Sequence, residues 1–98
     1  MDLIFLYAAE ADLQRAYQRY EDKQTGLGTK FLEHVEYGLQ QVQRFPESGF
    51  QISEKHRRVL LKKFPYGIFY TTYPKRTVIS AILDLTQNPS EIGKRLSE

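Results

Sequence analysis

The sequence has 98 residues, of which 41% are hydrophobic and 27% are charged, with a net charge of +2 and no cysteine. This length predicts one domain, residues 1–98, around one modest core, and the absence of cysteine excludes disulfides and thiolate metal sites. The N-terminal MDLIFLYAAEADL carries acids where a signal peptide needs a basic start, and its apolar run is too short to span a membrane, so we expect a soluble cytoplasmic protein.

The positive charge is concentrated in one segment of the chain. Residues 1–54 hold five Lys or Arg against nine Asp or Glu, and residues 77–98 hold two against three. Residues 55–76 hold seven Lys or Arg and no acid. Such a block attracts anionic partners, either nucleic acid or an acidic protein. The alternative is a solvated sheet face whose lysines discourage aggregation.

The N-terminal half predicts a strand followed by two helices. DLIFLY is a short apolar run, which is typical of a strand. After Ala9 the apolar period becomes helical, and a second helical stripe lies between the glycines of QTGLG and the terminator FPESG. The short connection predicts an antiparallel helical hairpin. The first stripe contains Leu13, Ala16, Tyr17 and Tyr20, with Asp12, Arg15, Arg19 and Asp22 expected to point away from it, and the second contains Phe31, Val35, Leu39 and Val42.

The C-terminal half predicts three strands and a short helix. FPYG and YPKR each have proline at the second position of a β-turn, which assigns Tyr66 and Gly67 to the first turn. TVISAILDL is the nearly continuous apolar run of a central strand. In NPSEIGKRLSE, Asn88 can cap a helix that begins with proline. From Arg57 the period is two, so Val59 and Leu61 share one strand face and Arg58, Leu60 and Lys62 share the other.

These elements predict an α+β domain: an N-terminal strand, an antiparallel helical hairpin, a three-stranded antiparallel meander and a short C-terminal helix. The helices are expected on one sheet face. The other face, with Arg58, Lys62 and Phe69, is expected to be an open basic surface bordered by the last helix. Aromatic side chains among cations can contact a partner by stacking, and Phe69 and Tyr73 are the candidates here. Tyr70 is expected on the helix side instead.

The sequence offers few groups for catalysis. The two histidines, His34 and His56, lie far apart and no metal-ligating pattern accompanies them, so no metal site is expected. His34 is expected at the surface. His56 precedes the basic strand and could act as a general base, although a lone histidine there is more often structural. No nucleophile elbow, phosphate-binding loop or dinucleotide motif is present, so no cofactor is expected.

The pieces GLGTKF, RRVLLKKFPYGIFY, the apolar strand and the NP-containing helix occur in an order that resembles the ParE/RelE superfamily. These proteins are the toxins of type II toxin–antitoxin modules and are often described as plasmid stabilisation proteins. The resemblance spans nearly the whole chain and is closer to ParE-like members. It implies the fold derived above, a bacterial or archaeal cytoplasm, and a cognate antitoxin that wraps around the toxin in a hetero-oligomer.

The resemblance implies two different mechanisms. RelE-like members cleave mRNA on the ribosome without metal, using cations on the concave sheet face and a C-terminal tyrosine. At the corresponding positions this chain keeps a cation at Arg58, with Lys62 one step further along the strand. Most of the groups that would move protons are therefore missing, and cleavage is disfavoured. The departures are Leu60, Gly67, Thr86 and Ile92, and the catalytic candidates of a nuclease would be Arg58, Lys62 and His56.

ParE-like members generally lack that set and, in the studied cases, poison DNA gyrase. This chain keeps their Pro89 and Arg95 but has Asp84, Gln87 and Ile92 where many relatives have histidine, arginine and tryptophan. The leading hypothesis is a toxin that binds a protein target such as DNA gyrase. The alternatives are a ribosome-dependent mRNA endonuclease and a non-toxic antitoxin-binding module. An acidic antitoxin segment, docking as a helix or an added strand, would contact Arg57, Arg58, Lys62, Lys63, Phe69, Tyr73 and Arg95.

Overall fold

The computed structural model describes residues 2–97 and confirms the predicted order of elements. It adds one short strand, β2, that the sequence did not predict. The elements are β1 (Asp2–Phe5), α1 (Tyr7–Lys23), α2 (Leu27–Arg44), β2 (Phe50–Gln51), β3 (Arg57–Leu60), β4 (Tyr66–Tyr73), β5 (Arg76–Asp84) and α3 (Pro89–Ser97).

The five strands form one sheet in the order β1-β5-β4-β3-β2. The strands β3, β4 and β5 form the predicted antiparallel meander, and β2 extends it by pairing antiparallel with β3. The first strand, β1, lies parallel to β5 at the opposite edge. Because β5 is covered on both faces, it has the nearly continuous apolar sequence that its position requires.

The helical hairpin covers one face of the sheet and encloses the main core. The turn between the helices is closed by Glu21, whose carboxylate accepts hydrogen bonds from the backbone N–H groups of Gly26 and Gly28 at 2.9 Å each. Gly26 has a φ of 91°, which favours glycine. Toward the sheet, Tyr70 and Ile68 are fully buried under the helices, as predicted.

The turn between β3 and β4 differs from the prediction. It spans residues 61–65 rather than 64–67, since Gly67 already pairs with Leu60 in the sheet. Lys63 adopts a left-handed conformation with a φ of 68° to close this turn. Tyr66 is consequently the first residue of β4 and is buried. Its ring belongs to a cluster with Tyr20, Phe31 and Phe64, whose neighbouring ring centroids lie 5.0–6.0 Å apart.

Asp12 was expected to point into solvent, and this expectation was wrong. Its side chain is only 2% exposed. The carboxylate accepts a hydrogen bond from the backbone N–H of Ile82 at 3.0 Å, and two from the guanidinium of Arg95 at 2.8 and 2.6 Å. Since β1 ends at Phe5, it does not pair with this part of β5, and Asp12 supplies the acceptor instead. One carboxylate therefore joins α1, β5 and α3.

Replacing Asp12 should destabilise the fold more than replacing an exposed acid on the same helix. Asp12→Ala removes the acceptor of the Ile82 N–H and the carboxylate that pairs with the largely buried Arg95, so we expect a loss of about 3 kcal/mol in the free energy of unfolding. Asp22→Ala, which removes only an exposed hydrogen bond from Gln18, should cost less than about 0.5 kcal/mol. Urea denaturation of both variants measures the difference, and equal losses would contradict the role assigned to Asp12.

Two of the helical glycines, Gly28 and Gly93, should respond in opposite directions to alanine. A Cβ on Gly28 would lie 2.8 Å from the backbone oxygen of Tyr17, so Gly28→Ala forces the helices apart and should cost about 1–3 kcal/mol. A Cβ on Gly93 meets nothing within 4 Å, and Gly93→Ala should gain up to about 1 kcal/mol from helix propensity. Thermal unfolding distinguishes them; a stabilised Gly28→Ala would show that the helix contact is not tight.

Candidate functional site

A groove of about 1260 Å³ lies on the sheet face opposite the helical hairpin. We call it the sheet groove. One of its walls is the segment 52–56 and the other is α3. Its floor consists of side chains from β3, β4 and β5, namely Arg58, Leu60, Phe69, Thr71, Val78 and Ser80.

The helix α3 covers part of the face that the sequence analysis left open. Ile92 and Leu96 pack against a second, smaller core formed by Phe69, Ala81 and Leu83. Phe69 lies on the predicted face, opposite Arg58 in the strand register, but only 1% of its surface is exposed. The predicted open basic surface is thus a walled groove whose floor mixes apolar and polar side chains.

The helix begins as the sequence predicted. Asn88 accepts a hydrogen bond on its side-chain oxygen from the backbone N–H of Ser90 at 2.9 Å, and Pro89 follows it as the first helical residue. At the other end, Arg95 fixes α3 to Asp12 of α1. Arg95 also lines the groove, and the carboxylate with which it pairs accepts a further hydrogen bond from Arg15 at 2.8 Å.

The basic segment does not form one continuous surface. Lys55, Arg58 and Arg76 line the sheet groove. Arg57 lies on the opposite side of β3, where its guanidinium donates hydrogen bonds to the backbone oxygens of Glu47 and Gly49 at 2.9 Å each. Arg57 therefore holds the segment after α2, which is a structural role that the sequence analysis did not assign.

Lys62 and Lys63 also lie away from the groove floor. The strand β3 ends at Leu60, so the predicted alternation does not continue to Lys62. Lys62 is exposed in the 61–65 turn, and its ammonium lies 5.9 Å from the ring centroid of Tyr37 in α2. The expected shared face of Arg58, Leu60 and Lys62 is therefore wrong at Lys62.

Arg58 lines the groove and contacts side chains and backbone of the neighbouring strands. Its guanidinium carbon lies 5.6 Å from the ring centroid of Phe50, its register partner in β2. Gly67 leaves room for its stem, since a Cβ there would lie 3.3 Å from Cγ of Arg58. The Nε atom is buried and has no hydrogen-bond partner among residues 2–97. An unsatisfied buried donor of this kind costs about 1–3 kcal/mol.

His56 enters the groove from the 52–56 wall. Its backbone N–H donates to the Ser53 hydroxyl at 3.1 Å, and its Nδ1 lies 3.3 Å from the same oxygen. Burial of the imidazole, together with the charge of Lys55, holds the pKa of His56 below its usual value. The imidazole is therefore neutral at pH 7.

The three catalytic candidates are not brought together. His56 and Arg58 line the same groove, whereas Lys62 lies in the turn against Tyr37. A phosphodiester cleavage site needs a base, an acid and charge stabilisation aimed at one position. Within residues 2–97, no group of three or more histidine, aspartate and glutamate side chains could hold a metal ion.

Tyr73 and Arg76 mark the far end of the groove, where β4 turns into β5. The Tyr73 ring is 44% exposed, and the Arg76 guanidinium lies 5.2 Å from its centroid. A smaller depression on the other side of Tyr73 contains Phe45 and Pro46. Of the two stacking candidates, Tyr73 is therefore accessible to a partner, whereas Phe69 is buried and was wrongly chosen.

Sequence reasoning missed Asp12 and the apolar wall residues Ile52, Ile92 and Leu96. A signal for Asp12 was present, since it follows Ala9 by three residues and precedes Ala16 by four, which places it on the buried stripe. The burial of Ile92 and Leu96 depends on where α3 docks, which no local pattern states.

No protein-family model matches the chain, and no curated protein matches it. Among solved structures, the chain is similar to a chain of a structure described as the chromosomal ParDE TA (toxin–antitoxin) system from P. aeruginosa. The TM-score is 0.76 at 19% sequence identity, over 87% of this chain and 96% of the other. The fold that the ParE-like resemblance implied is confirmed. Within the described residues, every helix is too short or too polar to cross a membrane.

The lowered pKa of His56 predicts a pH dependence of stability. The unfolded chain binds the proton more tightly than the folded one, so the contribution of His56 falls as the pH drops from 7.5 through the unfolded pKa. The free energy of unfolding of the unsubstituted protein minus that of His56→Gln should therefore decrease between pH 7.5 and 5. Chemical denaturation at several pH values measures it; a constant or rising difference would contradict the burial of the imidazole.

Proposed function

We propose that this chain is the toxin of a type II toxin–antitoxin module, that a cognate antitoxin neutralises it, and that it acts by binding a protein target such as DNA gyrase. The observation that carries this proposal is the match of fold over 87% of the chain to a chain of a ParDE toxin–antitoxin system. Fold alone does not specify a target, so the groove supplies the remaining support.

The lining of the sheet groove supports a protein partner. Its floor and walls expose apolar side chains such as Leu60, Val78 and Ile92 between the cations. An amphipathic peptide segment buries apolar area and pairs charges on such a surface, whereas nucleic acid draws mainly on cations and stacking aromatics. The groove volume of about 1260 Å³ exceeds the range of roughly 300–1,000 Å³ usual for small-molecule pockets.

The separation of the catalytic candidates supports a mechanism by binding. Lys62, which a nuclease would need beside Arg58, lies outside the groove lining. Arg95 engages the Asp12 carboxylate. The groove therefore offers His56 and Arg58 without the further acid–base groups that RNA cleavage needs.

Expression of this chain alone should arrest bacterial growth, and co-expression with the product of the adjoining open reading frame should relieve the arrest. The purified chain should inhibit supercoiling of relaxed plasmid by DNA gyrase and leave mRNA intact in a translation extract. Primer extension on that mRNA provides the discriminating measurement. Codon-phased cuts on translating ribosomes would instead establish a nuclease, and a stable complex without growth arrest would establish a non-toxic antitoxin-binding module.

A further inference from the structure

The guanidinium of Arg58 lines the sheet groove and forms no ion pair with an acid among residues 2–97. Its stem lies between Phe50 of β2 and the β4 backbone at Gly67, which fixes the direction of the side chain. The buried Nε atom has no hydrogen-bond partner in the described chain. The groove around it is lined by Lys55 and Arg76 as further cations and by Glu54 as the one acid among its described lining residues.

We propose that the sheet groove binds an apolar segment of the antitoxin that carries one acidic side chain, and that this carboxylate pairs with the two terminal nitrogens of Arg58. The inference rests on the proposed function and specifies the chemistry of its partner. Arginine binds carboxylates through two parallel N–H···O bonds, and such pairs strengthen where water is excluded.

The surroundings of Arg58 specify the rest of the segment. The exposed side chain of Leu60 beside Arg58, together with the Ile92 side chain on the α3 wall, favours apolar residues next to the acid. His56 is neutral at pH 7 because burial lowers its pKa, so it adds a polar contact without a second strong positive charge. Because one cation, Arg58, lies beside apolar side chains and a neutral imidazole, one acid flanked by apolar residues fits the groove better than a run of acids.

A double-mutant cycle tests the pair. The probe is the purified product of the adjoining open reading frame, together with variants in which each of its Asp and Glu residues is replaced in turn by Asn or Gln. Arg58→Gln should weaken the complex by about 30-fold or more, as expected when a buried charge loses its partner. In isothermal titration, one acidic substitution in the probe should lose most of its effect when combined with Arg58→Gln.

Lys62→Gln is the matched control because it removes the same charge outside the groove. It should weaken the complex by less than about threefold, the size of a change in exposed charge. Arg58→Lys keeps the charge but not the two-pronged geometry and should bind between the unsubstituted protein and Arg58→Gln. Circular dichroism and urea denaturation confirm that the variants are folded.

Three results would overturn the pairing. If Arg58→Gln and Lys62→Gln weakened the complex equally, the effect of Arg58 would be general electrostatic attraction and not a specific pairing. If Arg58 coupled only to the C-terminal carboxylate of the probe, the groove would bind a chain terminus and not an acidic side chain. If Arg58→Gln abolished binding to single-stranded RNA and left the protein complex unchanged, the groove would bind RNA. If the unsubstituted chain forms no complex with the probe, the proposed function itself fails and this inference fails with it.

Discussion

The carboxylate of Asp12 holds three elements in place by accepting hydrogen bonds from Ile82 of β5 and Arg95 of α3 while belonging to α1. Each of these donors needs an acceptor, since β1 ends before it reaches Ile82 and Arg95 is mostly buried. An ion pair in this environment contributes less to net stability than to fixing one arrangement, because removing its charges from water is costly. The position of α3 over the sheet depends on this contact.

The position of α3 in turn determines the shape of the groove. Only Ile92 and Leu96 of α3 join the small core on this side of the sheet, so the helix is held by little apolar area and by Arg95. With α3 in place, the face of β3, β4 and β5 becomes the floor of a groove with two walls, and Arg58 lines that groove. The helix α3 covers part of the sheet face that carries the basic residues. The face therefore becomes a groove in which the guanidinium of Arg58 is held by its neighbours.

Local sequence patterns predicted the elements well because each depends on its own periodicity. The meander and the hairpin follow from changes of period at Ala9 and Arg57. The turn of residues 61–65 could not be predicted, since it requires a non-glycine residue, Lys63, in a left-handed conformation. The displacement of Lys62 from the face of Arg58 depends on where β3 ends, which is a tertiary constraint. The hydrogen bonds of Arg57 to the backbone of Glu47 and Gly49 depend on where the segment after α2 lies, which is also a tertiary constraint.

Amide hydrogen exchange of the chain, alone and with the product of the adjoining open reading frame, tests the central claim most directly. The claim is that the sheet groove, shaped by the Asp12 contact and α3, receives the partner. The account predicts new protection in residues 52–60 and in α3, with little change on the outer surface of α1 and α2. Protection confined to the helical hairpin, with the groove segments unchanged, would contradict it.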